Sequence, residues 1–252
     1  MVSEAELRPI KAELKWLTNE LGPAREFEVF LTKVVTPFKR RHARLVGMRS
    51  LSHDLAERRD AALTRALTAV CSTRFRDLPL NLAAWLEAGG WHQPRNRLLR
   101  ERCEQPIEIT ARAQLKRRWK KIRKRGRLLA RLDPQARHKL RIRAKKLRYA
   151  TEFYKTVFAG KKHEKRRTAF LSVLKDMQDC FGDLNDVFMH EKLTTGMAKA
   201  SIKASRAGSA TRFRGLFAAG LLTGHQEARL KPLLTAAQTA FSEFEKLKPY
   251  WN

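Results

Sequence analysis

Residues 137–153 read RHKLRIRAKKLRYATEF, with seven Lys or Arg and a single acid, Glu152. At the helical increment of about 100° per residue, His138, Arg141, Lys145, Arg148, Tyr149 and Glu152 fall within about 100° of one another. Leu140, Ala144, Leu147 and Tyr154 gather on the other side. The segment predicts a helix with one basic stripe and one apolar stripe. Just upstream, Asp133 suits the cap of the free N–H groups and Pro134 the first helical position. Gly160 suits the stop. Like charges at i, i+4 weaken an isolated helix by about 0.2–0.5 kcal/mol per pair. The stripe therefore faces either open water or a counter-anion.

Outward from this helix, apolar residues keep a 3.6-residue period. Ile10, Leu14, Leu17 and Leu21 share one face, and Leu115, Trp119, Ile122 and Leu129 share another. Residues 169–181 and 233–247 read the same way, and alternating β-branched runs bounded by turns are absent. Breaks are expected at Pro37, Pro79, 88–94, 102–106, 132–134, 158–162 and Gly182. The expected class is all-α, a helical bundle.

The chain also repeats itself. LKWLTNELGPAREFEVF from Leu14 aligns without a gap to LKDMQDCFGDLNDVFMH from Leu174, an offset of 160 residues (174 against 14). TRFRDLPLNLAAWLEAG from Thr73 aligns to TRFRGLFAAGLLTGHQE from Thr211, an offset of 138 (211 against 73). Both pairs keep their order, which indicates a duplicated helical unit. The first unit covers about 1–105 and the second about 106–252. The first carries 22 more residues between its paired segments, among them the basic run 38–49.

Lys and Arg number 54 against 25 Asp and Glu, a formal charge of +29 in 252 residues. That balance points to a polyanion: nucleic acid, an anionic membrane or another phosphate polymer. Hydrophobic residues still make up 43%, enough to form a core. Cys71, Cys103 and Cys180 lie far apart and form no C-x-x-C pair, so neither a disulfide framework nor a zinc knuckle is expected. No apolar leader opens the chain, and its longest apolar stretch is too short to span a bilayer. These features fit a soluble cytoplasmic protein with no membrane partner.

Other helices share the basic bias. Arg112, Lys116, Lys120, Arg123 and Arg127 line one side of the helix before 137–153, and Arg8, Lys11 and Lys15 do so near the N-terminus. Lys175 is the repeat equivalent of Lys15, and Arg212 that of Arg74. If these stripes converge, they form a basic groove that only an anion relieves of repulsion.

The pattern His138, Arg141, Lys145, Lys146, Leu147, Arg148, Tyr149, Glu152, Phe153 resembles the signature of the CHAD domain, the conserved histidine α-helical domain. The segments LKDMQDCFGDLNDV, LPLNLAAWLEAGGW and FEKLKPYW resemble that family's other helices. The resemblance implies one domain of two helical repeats around a basic pore. It further implies binding of inorganic polyphosphate, with association with polyphosphate granules. His138, Arg141, Lys145, Lys146 and Arg148 would then contact phosphate, with Tyr149 donating a hydrogen bond or packing. Arg8, Lys11, Lys15, Arg74, Lys116, Lys120, Arg123, Arg127, Lys175 and Arg212 would extend the basic surface. In the family each repeat opens with its own histidine-and-arginine helix. Here AELRPIKAELKWL matches the helix after that one, so the first repeat is expected to be incomplete, with a homodimer as one way to supply the lost wall.

A nonspecific nucleic-acid-binding or ribosome-associated protein is the alternative. Such binders stack bases on exposed aromatics, whereas Phe27, Trp85, Phe170 and Phe241 sit in apolar stripes and read as core. No phosphate-binding G-x-x-x-x-G-K-[ST] loop occurs, and His190-Glu191 does not continue to H-E-x-x-H. Asp183 and Asp186 around Asn185 read as a helix start after Gly182 rather than as metal ligands. No enzymatic activity, cofactor or metal is expected.

Overall fold

The computed structural model describes residues 4–88, 97–203 and 210–251. The expected break at 88–94 lies almost wholly outside them. Among the described residues there is no strand, and no helix is long and apolar enough to cross a membrane. The fold is all-α. The helices are α1 (Glu4–Phe30), α2 (Thr36–Arg41), α3 (Met48–Val70), α4 (Thr73–Ala88), α5 (Arg97–Glu104), α6 (Ile107–Gly126), α7 (Pro134–Phe153), α8 (Lys161–Lys203), α9 (Ala210–Ala228) and α10 (Leu230–Lys246).

Two compact units divide the chain. The first comprises Met1–Glu104 with Thr194–Leu222, and the second Gln105–Leu193 with Thr223–Asn252. Over 194–222 the compact units and the sequence repeats divide the chain differently.

In the first unit α1 packs along α3, with α4 against both. Between α1 and α2 the chain makes one wider turn, Leu31–Val35, in which Thr36 N–H donates to Leu31 O. The extra residue per turn lets the adjacent Val34 and Val35 both be buried, between the buried Phe30 and Phe38. Pro37 follows that turn without ending the helical path. Gly47 closes the connection to α3 at φ 83°, and an added Cβ there would sit 1.7 Å from the Arg214 carbonyl oxygen of α9. Only glycine meets both demands.

In the second unit α6 and α7 pair through a short 3₁₀ turn at Leu129–Arg131. Asp133 Oδ1 accepts from the Ala136 N–H at 2.8 Å, and Pro134 occupies the first turn, so the expected start of α7 is met. Leu140, Ala144, Leu147 and Thr151 are the buried face of α7. The core joins them to Leu115 and Ile122 of α6, to Phe170, Leu174, Met177 and Phe181 of α8, and to Phe241 and Phe244 of α10. After α10 the chain tucks Tyr250 and Trp251 fully under this core, their rings edge-on to Phe158 and Phe170. His163 Nδ1–H holds the tuck by donating to the Tyr250 carbonyl at 2.7 Å. Burial pushes the Tyr250 phenol pKa up, against smaller lowering effects of Thr151 and Arg167.

Two further expected breaks do not occur. Pro79 lies inside α4 and Gly182 inside α8. Pro79 is exposed, so its ring meets solvent, and the packing of Leu78 and Trp85 keeps the helix together across the missing N–H. Gly182 continues α8 because nothing there demands a left-handed residue. Asp183 and Asp186 are therefore mid-helix residues, not a helix start.

Candidate functional site

The second unit sets α7 beside α8 in antiparallel register. Gln178 Nε2 donates to the Ala144 carbonyl at 3.1 Å in a buried contact. Four residues along α8, an added Cβ at Gly182 would come 4.0 Å from Arg141 Nε. One turn further, His138 Nδ1–H donates to Asn185 Oδ1 at 2.5 Å. Positions thus run down α7 as they run up α8. The same register sets Lys175 level with Arg148.

This geometry orients the histidine. With Nδ1–H committed to the Asn185 amide, Nε2 is the ring atom left for a ligand. Gly182 leaves room for the arginine beside it. A methyl group at 182 would lie in ordinary van der Waals contact with the Arg141 side chain.

Five arginines of α6 and α7 share an unusual feature. Arg118, Arg123, Arg137, Arg141 and Arg148 are half-buried, and the Nε of each is shielded from solvent without a hydrogen-bond partner. Arg148 Nε lies 3.6 Å from the Glu152 carboxylate, past hydrogen-bond range, and its guanidinium sits 5.2 Å from the Tyr149 ring. Buried N–H donors without acceptors are costly, about 1–3 kcal/mol each, and more when charged.

The predicted residues do not all stand alike. On α7, His138, Arg141, Lys145 and Arg148 lie on the half-buried flank, while Lys146 and Tyr149 are exposed. Lys116 and Lys120 of α6 and Lys175 of α8 are exposed. Arg123 and Arg127 share a carboxylate: Arg127 Nε reaches Glu245 Oε1 at 2.5 Å and Arg123 Nη2 at 3.5 Å. Arg123 also stacks 4.5 Å over Trp119. Both must yield an ion pair to take a phosphate.

In the first unit Arg8 and Lys15 are exposed, and Lys11 pairs with Glu4 at 2.7 Å. Arg74 pairs with Glu13 at 2.6 Å while lying 4.2 Å over Trp16. Its hydrogen bond holds the Glu13 carboxyl below its ordinary pKa. Arg212 falls in α9, but its side chain lies outside the described residues.

Sequence reasoning missed Arg118, Arg137 and Asn185. A signal for Arg118 existed, since it holds an apolar-stripe position between Leu115 and Ile122. Arg137 lies one turn before Arg141 on the same flank. Asn185 carried no local signal, because its partner is 47 residues away.

The CHAD domain family model matches residues 1–194. The crystal structure of the CHAD domain from the plant Ricinus communis is similar over 95% of this chain and 73% of its own, with a TM-score of 0.70 and 23% identity. That likeness concerns the fold. No curated protein sequence matches.

Proposed function

The chain belongs to the CHAD domain family, and on that premise we propose that it binds inorganic polyphosphate along the α7–α8 face. The observation that carries the reading is the set of half-buried arginines Arg137, Arg141 and Arg148, which share one flank of α7 with a histidine pinned by Asn185. Polyphosphate presents closely spaced single charges and no base edges. Such a ligand is met by forked guanidinium donors, by Lys145 and Lys175 as point charges, and by His138 Nε2 when that nitrogen carries a hydrogen to donate. Binding involves no turnover, so incubation with the polymer releases no orthophosphate. Association with cytoplasmic polyphosphate granules is the cellular counterpart of this reading.

One observation favours nucleic acid as a second reading. Tyr149 and Phe153 sit one helical turn apart on α7 and are 53% and 76% exposed, next to the basic flank. Exposed rings of this kind stack bases, at about 1–3 kcal/mol per base. Thermal-shift titration with long-chain polyphosphate, single-stranded DNA and duplex DNA at matched charge and salt separates the two. Polyphosphate is expected to give the larger shift, and replacing Arg141, Lys145 and Arg148 by Gln to weaken it by about tenfold or more. Equal shifts from DNA, lost in Tyr149→Ala with Phe153→Ala, would favour the second reading.

A further inference from the structure

The residues that lengthen the first copy carry cations that the α7–α8 face does not use. Residues 38–49 contain Lys39, Arg40, Arg41, His42, Arg44 and Arg49 and no acid. α2 ends at Arg41, and two tight turns follow, with Leu45 N–H donating to His42 O at 3.0 Å and Met48 N–H to Leu45 O at 3.2 Å. The turns curl the chain around a shallow cavity of about 430 Å³, lined by Arg40, Arg41, His42, Ala43, Arg44 and Leu45.

This bowl rests on a fixed base. Phe38 and Met48 at its two ends are 6% and 2% exposed, and Gly47 is locked against the α9 backbone at Arg214. The His42 ring packs on Phe38 with centroids 4.5 Å apart. The charged side chains are exposed, and among the described residues no carboxylate pairs with Arg40, Arg41 or Arg44. In the same unit Arg65 is paired with Glu20, and Arg74 with Glu13. Basic residues in a last helical turn balance the helix dipole, which accounts for Arg40 and Arg41. It does not account for Arg44, which lies beyond the helix end.

We propose that this bowl is a second phosphate site, one that takes a short run of phosphate groups, as a free oligophosphate or a chain end. Three arginines line one concavity, and their guanidinium forks are the groups that bidentate phosphate recognition uses. No exposed Phe, Tyr or Trp lines it, so a nucleotide base has no ring to stack on. The inference takes only the ligand class from the polyphosphate reading; its residues are different.

The test is calorimetric titration of tripolyphosphate, at low salt, into the full chain and three variants. The first combines Arg40→Gln, Arg41→Gln and Arg44→Gln. The second is Arg44→Gln alone, which keeps the test decisive should the triple variant fail to fold. The third combines Arg141→Gln, Lys145→Gln and Arg148→Gln on α7. The loop triple variant is expected to lose one equivalent of tripolyphosphate per chain, and Arg44→Gln to weaken that equivalent by about tenfold. The α7 variant is expected to keep it. Unchanged binding in both loop variants, with the α7 variant impaired, overturns the second site and leaves the main reading standing. Unchanged binding in all three overturns both. A single-stranded trinucleotide that displaces tripolyphosphate from the loop at equal concentration overturns the choice of inorganic phosphate.

Discussion

Two glycines inside helices are there for opposite reasons. At Gly126 an added Cβ would lie 1.9 Å from the Phe241 ring, so the glycine is what lets α6 approach α10. At Gly182 the nearest atom is Arg141 Nε at 4.0 Å. Gly126→Ala is expected to cost about 1–3 kcal/mol through overpacking. Gly182→Ala should stabilise α8 by about 0.5–1 kcal/mol, the helical preference of Ala over Gly. Urea denaturation of both variants checks the pair, and equal signs would contradict the packing described. The sequence alone marks Gly182 as a break, because it shows a glycine's freedom but not the space around it. The site has the same limit. His138 is prominent in its motif, but the atom that decides which ring nitrogen it presents belongs to Asn185.

Helices are held to one another by contacts of long sequence separation, and in the first unit two of them are ion pairs. Arg65 of α3 grips Glu20 of α1 through two hydrogen bonds, and Arg74 of α4 grips Glu13 in the same way. These hydrogen bonds, more than the Coulombic attraction, hold both carboxyls below their ordinary range. A carboxyl with a depressed folded pKa contributes stability that is complete above its unfolded pKa and lost as pH falls through the folded one. The first unit should therefore weaken as pH falls below the ordinary Glu value of about 4.3. Exposed pairs contribute little, so the slope is shallow. Combined Glu13→Gln and Glu20→Gln should lower the urea midpoint at pH 7 and flatten its fall in acid; an unchanged slope would mean that the clamps do not act. Elements were legible where local chemistry rules, as at Asp133-Pro134; Gly160 is not the stop of α7, which ends at Phe153, but takes φ 104° just before α8. They were not at Pro79, where the packing of Leu78 and Trp85 outweighs one missing hydrogen bond.

A net charge of +29 makes anions part of the folding problem for the whole molecule. Self-repulsion opposes compactness, and any polyanion that bridges cationic side chains relieves it. Binding then releases counterions, and affinity falls with salt at roughly −0.7 log units per log unit for each phosphate contacted on a single strand. Replacing Arg141, Lys145 and Arg148 together should thus reduce the magnitude of the salt slope for polyphosphate by about 2. A titration series between low and physiological salt reads this directly. An unchanged slope would place the contacts elsewhere on the molecule.

Composition and periodicity alone determined that the chain is helical and basic, since those properties depend on residues a few positions apart. The amphipathic stripe of α7 belongs to the same class. Packing alone decided which basic residues stay available. Glu245 neutralises Arg127 across 118 residues, Glu13 occupies Arg74 across 61, and Asn185 orients His138 across 47. Charge and helical phase are local properties, whereas a partner's identity is set by which helices meet.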